Sequence, residues 1–251
     1  ERFVKEAELL TQLASEHIVK FYGARTKPEF CIVMEHFANG SLYTVMNKTG
    51  MKFDWAVVIA FATESVRAMQ LLHSQTPQIV HGAITSSCLM VADDFKIKLS
   101  DFSQATTFPP KAEDGYKGNS NGTSLYSAPE VFNGEPKTTK TDVYSFSIVL
   151  WELVYRCLEG TYEKPYLSCT NVKFPVQVSV QVAKKGLRPK LVFNTPPPVA
   201  DILKKCWHAD PAERLSCTDI LRGMHKIKQL YLEEKRKKAK KMSQSISKSK
   251  K

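Results

Sequence analysis

The side chains that could take part in catalysis or metal binding are concentrated between His81 and Asp101. The carboxylate of Asp101 is the kind of oxygen ligand that Mg²⁺ prefers. Asp93 and Asp94 could supply a general base, but their place in a turn between strand-like runs indicates solvated surface instead. The six cysteines form no C-x-x-C pair, which indicates reduced thiols and no zinc site of the usual spacing. They are Cys31, Cys88, Cys157, Cys169, Cys206 and Cys217.

Length and charge set the first limits on what the chain can be. It has 251 residues, 43% of them hydrophobic, enough for a sizeable core in one large or two small domains. No stretch approaches the roughly 18 unbroken apolar residues of a membrane helix. The net charge of +11 is local, because residues 235–251 hold nine Lys or Arg and no acid, which leaves 27 basic and 25 acidic residues elsewhere. The sequence starts at Glu1 without a signal-like stretch, and we interpret it as a fragment.

The hydrophobic pattern predicts strands near the start followed mostly by helices, an α+β chain. Helices are expected at 3–13, 54–73, 141–155, 176–185, 198–207 and 216–232, the second with Asp54 as its N-cap. Strands are expected at 17–23, 30–35, 88–91 and 96–99. Residues 108–122 are rich in Pro, Gly and Asn and predict a loop.

Several short motifs occur in the order and at the spacing of protein kinases. Residues 81–89 are similar to the catalytic loop, 101–103 (Asp-Phe-Ser) resemble the D-F-G element, and 128–130 are an intact A-P-E. Three further positions match the αC glutamate, the buried αF aspartate and the arginine that pairs with the A-P-E glutamate: Glu6, Asp142 and Arg214. The resemblance implies a kinase-like fold with a truncated small lobe at 1–36 and a large lobe at 37–232. It ends there, and the composition of residues 233–251 predicts a disordered basic tail.

The subgroup follows from longer segments. The stretches HIVKFYGA, VLWELV and KKCWHADPAERLS resemble the tyrosine-kinase-like group of serine/threonine kinases. Within it the sequence looks most like the MAP kinase kinase kinases, nearest to the transforming-growth-factor-β-activated kinase. The Gly-Thr and Tyr between residues 122 and 126 are typical of serine/threonine specificity.

The resemblance also identifies what the catalytic loop lacks. In the family a loop Asp accepts the proton of the substrate hydroxyl, and an Asn five residues later helps to hold Mg²⁺. Ala83 and Cys88 stand at these positions, Gly82 replaces the H-R-D arginine, and Thr85 replaces the loop lysine. None of the four accepts a proton or binds Mg²⁺ comparably at neutral pH. Because losing one general base costs on the order of 10²–10⁴ in rate, the resemblance implies a pseudokinase.

The nucleotide site is only partly represented in this sequence. The resemblance places the adenine pocket along residues 32–37, which gives four predicted nucleotide-binding residues: Met34, Glu35, Phe37 and Leu89. The resemblance places Met34 at the position that controls access to the pocket behind the adenine site, which its bulky side chain would narrow. Asp101 is the predicted metal ligand, although Ser103 replaces the glycine that lets this segment pivot. No Gly-rich loop or β3 lysine occurs in the sequence, so Glu6 has no evident ion-pair partner, and binding of ATP and Mg²⁺ stays open.

The residues that brace the large lobe are retained. Glu130 and Arg214 are expected to form a buried pair, Asp142 to anchor the catalytic loop, and His81 to be a packed core histidine. With Gly82 in the loop, a phosphorylated activation-segment residue would lack its usual receptor. The residues concerned are Thr106, Thr107, Ser120, Thr123 and Ser124.

Retained bracing without reactive groups favours a scaffold or allosteric partner in intracellular MAP-kinase-type signalling. Two alternatives stay open: a weakly active serine/threonine kinase that uses Asp101, and a basic-tailed adaptor whose lobe binds no nucleotide. Expected partners are other protein kinases or signalling adaptors. Three interpretations of the tail at 235–251 stay open: a solvated helix end and disordered tail, a segment that binds anionic lipid, or a nuclear-import contact. We expect no specific nucleic-acid recognition. We expect a cytoplasmic protein, with nuclear or membrane-peripheral placement through the tail as alternatives.

Overall fold

The computed structural model describes residues 2–48, 50–109, 125–169 and 175–248. In the described chain all the strands lie before residue 109, together with three helices, and the elements after it are helices. The helices are α1 (Arg2–Gln12), α2 (Leu42–Asn47), α3 (Trp55–His73), α4 (Pro129–Phe132), α5 (Thr139–Glu159), α6 (Pro175–Lys185), α7 (Pro197–Cys206) and α8 (Cys217–Lys248), with a 3-10 helix at Pro211–Glu213 before α8. The strands are β1 (Phe21–Arg25), β2 (Cys31–Met34), β3 (Gln78–Val80), β4 (Leu89–Val91), β5 (Ile97–Leu99) and β6 (Thr106–Phe108). The predicted α+β class is confirmed.

The strands form antiparallel pairs, and two of these pairs fix the positions of the chemistry-bearing segments. β4 pairs with β5, with Leu89 opposite Leu99, so Cys88 and Asp101 lie near the same end of this hairpin. β3 pairs with β6, with Val80 opposite Thr106, which brings the chain after Asp101 beside the strand that leads to His81. The third pair, β1 with β2, lies next to α1.

Helix α5 is the centre of the hydrophobic core. Every residue from 141 to 154 is buried, as a helix that is apolar on all sides requires. Thr138 begins the helix with a capping box. Gly160 ends it in the left-handed conformation, which glycine adopts without steric cost.

Helix α3 packs against α5 and α8 and carries the cap expected from the sequence. Asp54 accepts hydrogen bonds from the backbone N–H groups of Ala56 and Val57. Among the described residues, α3 is the one helix whose length and composition would suffice to cross a bilayer. Half of its apolar window is buried inside the fold, which is typical of a core helix.

Each predicted helix and strand has a counterpart in the structure, but the bounds differ. The first strand begins four residues later than predicted, and α5 extends beyond both predicted ends. Four elements of three to six residues are not predicted at all, since such short runs give no clear period. They are α2, β3, β6 and α4. The predicted loop at 108–122 lies, apart from its first two residues, outside the described part of the chain.

The C-terminal basic segment differs from its prediction. The sequence predicts a disordered tail from residue 233, but the structure continues α8 to Lys248. Lys, Arg, Glu and Ala have high helix propensity, and here they extend a helix that is already nucleated by its packed first half.

A buried ion pair joins α4 to the segment that precedes α8. Both guanidinium NH groups of Arg214 donate to the carboxylate of Glu130 at 2.7 Å. The Arg214 side chain is fully buried and also donates to the backbone carbonyls of His208 and Lys140. The pairing expected from the sequence is therefore present, and its remaining donors are satisfied by backbone.

We expect Arg214→Met to lower the free energy of unfolding by about 3–5 kcal/mol, because the carboxylate of Glu130 would stay buried without its partner. Urea denaturation measures the change. Lys205→Met is the matched control, since its pair with Asp201 is more than half exposed and should contribute less than about 1 kcal/mol. Equal losses in the two variants would contradict this account of the pair.

Candidate functional site

The candidate site lies at the catalytic-loop-like segment, where the resemblance places the nucleotide cleft, and a single carboxylate holds that segment. Asp142 lies in the first turn of α5 and is fully buried. Its Oδ2 accepts the backbone N–H of His81 at 2.9 Å, and its Oδ1 accepts that of Gly82 at 2.8 Å. The Nε2 of His73, at the end of α3, lies 2.9 Å from the same Oδ2. The predicted anchoring role of Asp142 is present in the structure.

His81 is a packed core histidine, as predicted. Its Nε2 lies 3.0 Å from the carbonyl oxygen of Ser100 and must donate to it, which leaves Nδ1 to accept the N–H of Ala83 at 3.4 Å. Burial, the largest effect, lowers the pKa of the imidazole. The ring also contacts the buried ring of Phe102, with centroids 5.2 Å apart. A neutral, fully buried imidazole with both nitrogens engaged does not serve as a base.

The loop beyond His81 offers no group that could take a proton. Ala83 presents a methyl group where the resemblance expects a carboxylate. The sulfur of Cys88 accepts the N–H of Thr85 at 3.2 Å and lies 3.2 Å from the carbonyl oxygen of Thr85. Burial raises the pKa of the Cys88 thiol to about 12, so it stays protonated at neutral pH. The polar atoms of Thr85 and Cys88 therefore bond to one another.

Gly82 is tightly enclosed, and a lysine from elsewhere in the chain fills the adjacent space. Its φ of +72° lies in the left-handed region. A Cβ at this position would lie 2.9 Å from the carbonyl oxygen of Gln104, and 3.0 and 3.2 Å from Cδ and Nζ of Lys137. The Lys137 ammonium group, from the segment between α4 and α5, donates to the carbonyl oxygen of Gly82 at 2.8 Å. The ammonium group of Lys137 thus lies beside Gly82, the position where the resemblance expects an arginine.

Asp101 lies at the open side of the cleft, with an exposed side chain and a φ of +61°. A non-glycine residue in that conformation is strained and often marks a functional position. The Ser103 hydroxyl donates to Asp101 Oδ1 at 2.7 Å. Nearby, Glu6 of α1 accepts the N–H of Phe102 at 3.1 Å. Burial and then the charge of Asp101 raise the pKa of Glu6.

The four predicted nucleotide-binding residues lie along β2, the segment after it and the start of β4. Met34 is 38% exposed, whereas Phe37 and Leu89 belong to the core. The carboxylate of Glu35 is engaged on the protein itself, with the Lys98 ammonium group 2.9 Å from both of its oxygens. Contact of these residues with nucleotide stays a prediction, and the side chain of Glu35 has little capacity left for a ligand.

Other predicted residues fall at the edges of the cleft or outside the described chain. Asp93 and Asp94 are exposed in the β4–β5 turn, where Asp94 accepts the N–H of Lys96, so they are surface groups as expected. Thr106 and Thr107 belong to β6. Ser120, Thr123 and Ser124 lie outside the described residues, and so does the glycine- and asparagine-rich stretch around them.

In the kinase pattern the D-F-G aspartate and a loop asparagine hold Mg²⁺. Asp101 and Cys88 stand at these two positions. Mg²⁺ demands near-octahedral oxygen coordination. Asp101 supplies a carboxylate, but the opposite position is the buried, protonated thiol of Cys88. Among the described residues, no three His, Cys, Asp or Glu side chains are grouped so that they could hold a metal. The residues of this chain therefore do not fit a metal ion held from both sides of the cleft.

Sequence reasoning misses a buried carboxyl group under the loop. Glu152 of α5 is fully buried, and its Oε1 accepts three hydroxyl groups: Tyr162 at 2.7 Å, Tyr126 at 2.8 Å and Ser86 of the loop at 3.2 Å. Its Oε2 is buried without a partner among the described residues. Burial raises the pKa of Glu152 to about 7. The only sequence signal is an acid within the apolar run of α5, because its three partners come from separate segments.

The chain matches known protein families across most of its length. The model of the protein tyrosine and serine/threonine kinase family matches residues 1–224. The stress-activated protein kinase alpha of Dictyostelium discoideum is 38% identical over 231 residues, which cover 92% of this chain and 36% of that protein. A probable serine/threonine-protein kinase of the same organism is 39% identical over 235 residues, covering 94% of this chain and 10% of that protein. The chain thus spans about a third or less of these relatives.

We expect Gly82→Ala to destabilise the fold more than Gly160→Ala, by about 1 kcal/mol or more, in urea denaturation. Both glycines have φ near +70°, so the left-handed strain of roughly 1–2 kcal/mol is common to both. A Cβ at Gly160 meets nothing within 4 Å, whereas at Gly82 it meets Gln104 and Lys137. In a Lys137→Ala background the excess at Gly82 should shrink. Equal losses at the two glycines would show that Gly82 is not crowded.

Glu152 should make stability depend on pH between its unfolded and folded pKa values. Because folding raises this pKa from 4.5 to about 7, the folded state favours the protonated acid. Relative to Glu152→Gln, the wild-type protein should therefore lose about 3 kcal/mol of stability as pH rises from about 4.5 to 7, and then level off. Denaturation series at several pH values measure the difference. Glu159→Gln, at the exposed end of α5, should show no such slope, and a pH-independent difference for Glu152→Gln would contradict the assignment.

Proposed function

Since the chain belongs to the protein tyrosine and serine/threonine kinase family, we propose that it is a catalytically impaired member, a pseudokinase, that acts as a scaffold or allosteric partner. The observation that carries this proposal is the state of the loop around Ala83. Asp142 holds the loop backbone through His81 and Gly82, yet the position that should present a base presents a methyl group. The backbone of the loop is held in place, while the side chain at position 83 is not the general base of the family pattern.

The rest of the loop supports the same proposal, because the loss is not confined to one position. Cys88 is a protonated thiol bonded inside the loop, and Thr85 replaces a cation. Positioning and charge neutralisation supply almost all of the catalysis of phosphoryl transfer. A loop without its base, one metal ligand and one cation would contribute little to either.

The second candidate function is a weakly active serine/threonine kinase. The similar proteins from Dictyostelium discoideum are named serine/threonine or stress-activated kinases, and Asp101 is exposed at the cleft in a strained conformation. On this alternative Asp101 would hold one Mg²⁺ with ATP. The third candidate is an adaptor whose lobe is only a rigid spacer.

The proposed setting is intracellular MAP-kinase-type signalling in the cytoplasm, with other kinases or signalling adaptors as partners. It rests on the resemblance to the transforming-growth-factor-β-activated kinase and on a relative that is named a stress-activated protein kinase. The braced lobe, with its buried Arg214–Glu130 pair, offers such partners a rigid surface.

A phosphotransfer assay on the complete protein, with Mg²⁺ or Mn²⁺ and a general protein substrate, separates the first two candidates. We expect incorporation at background level, unchanged by Asp101→Asn. Asp94→Asn, in the exposed turn, is the matched control. Incorporation that Asp101→Asn abolishes and Asp94→Asn leaves intact would establish the active kinase instead.

A nucleotide-binding measurement distinguishes a pseudokinase that binds ATP from an adaptor whose lobe is only a rigid spacer. Thermal unfolding is measured with and without ATP and Mg²⁺, since a ligand that binds the folded state raises the melting temperature. A rise of several degrees that Asp101→Asn reduces would contradict the spacer.

A further inference from the structure

Helix α8 leaves the fold in its second half. In its first half Met224 and Ile227 are buried, and the helix packs against α3. Beyond Tyr231 the pattern changes, because residues 232–243 are all exposed. This part of the helix, which we call the α8 extension (232–248), is therefore accessible to a partner from residue 232 to residue 243.

The charge of the α8 extension has one sign. From Lys235 to Lys248 it carries seven Lys or Arg and no acid, while the chain before Lys235 is nearly balanced, with 27 basic and 25 acidic residues. Consecutive basic residues at 235–238 and again at 240–241 point to different sides of the helix, since successive residues are about 100° apart. A partner that covers this helix must be strongly anionic.

Apolar side chains lie on one face of the same segment. Leu232, Ala239 and Met242 are spaced by seven and three residues, which places them on one side of the helix, where Lys235 lies between them with its ammonium group over the ring of Tyr231. Leu232 is 43% exposed and Met242 is 69% exposed. The last acids of the helix, Glu233 and Glu234, fall on the opposite half of its circumference. An apolar strip among cations, with the acids turned away, is the pattern of a helix that lies in a membrane interface.

Other occupants fit this surface less well. A second copy of the chain would bring like charges together. A nucleic acid would satisfy the lysines, but its phosphates offer nothing to Leu232 and Met242, and no aromatic residue follows Tyr231 for stacking on bases.

We propose that the α8 extension binds the surface of a membrane that contains anionic phospholipids. Leu232 and Met242 enter the headgroup region, and the lysines on either side of them contact the lipid phosphates. Lysines on the far side contribute less, because their attraction is screened over a Debye length of about 8 Å at physiological salt. The attachment is independent of nucleotide and of the chemistry of the cleft, so it holds whether or not the proposed pseudokinase function is correct.

The test is co-sedimentation of the complete protein with vesicles of phosphatidylcholine, with and without phosphatidylserine. We expect binding only when phosphatidylserine is present, weakening with added salt. Arg236→Gln with Lys238→Gln, the two basic residues that flank the apolar strip, should weaken it about 30-fold, which corresponds to about 1 kcal/mol for each basic residue. The matched control is Lys184→Gln with Lys185→Gln at the exposed end of α6, which should change nothing. Equal binding to both kinds of vesicle, or to neither, would overturn the proposal.

A second comparison distinguishes lipid from nucleic acid. Met242→Gln should weaken vesicle binding severalfold, and Leu167→Gln, at an equally exposed apolar position, should not. Fluorescence anisotropy with duplex DNA serves as the competing arm. Tighter binding to DNA than to phosphatidylserine vesicles, together with no effect of Met242→Gln, would assign the surface to nucleic acid. Far-ultraviolet circular dichroism of each variant confirms that α8 stays helical.

Discussion

The buried carboxylate of Asp142 is the interaction on which the geometry of the cleft depends. It holds two backbone N–H groups of the loop, and the ring of His73 lies against it. The other nitrogen of His73 lies 3.3 Å from the sulfur of Cys217 at the start of α8. One carboxylate therefore connects α3, α5 and the loop, and through His73 reaches α8. Because a buried carboxylate without partners would be very costly, these contacts form together and the loop shape follows from the core.

This dependence explains how the loop keeps its backbone shape although Ala83 and Cys88 stand where the family pattern has Asp and Asn. The hydrogen bonds that fix the loop come from the backbone at His81 and Gly82, and their acceptor lies in α5. A side chain at the position of Ala83 takes no part in them. Glu152 adds a second connection from α5, through Ser86. Substitutions that remove catalytic chemistry therefore cost the fold little, and Lys137 fills the space beside Gly82.

The sequence was most informative where residues have obligatory partners. The pair of Glu130 with Arg214, the Asp142 anchor and the Asp54 cap could all be assigned from motif position and residue type, and each is present. Lys137 and the Glu152 cluster could not be foreseen, since their contacts join residues up to 66 positions apart. The helical state of the basic segment was missed because its composition suits both a helix and a solvated tail.

The thiol of Cys88 has a consequence for chemical probes of this protein. Electrophilic warheads react with thiolates, and selectivity among cysteines follows acidity and exposure. Cys88 is only 3% exposed, and burial raises its pKa to about 12. A covalent ligand designed for the cleft will therefore not gain its selectivity from Cys88, and reversible contacts must provide it.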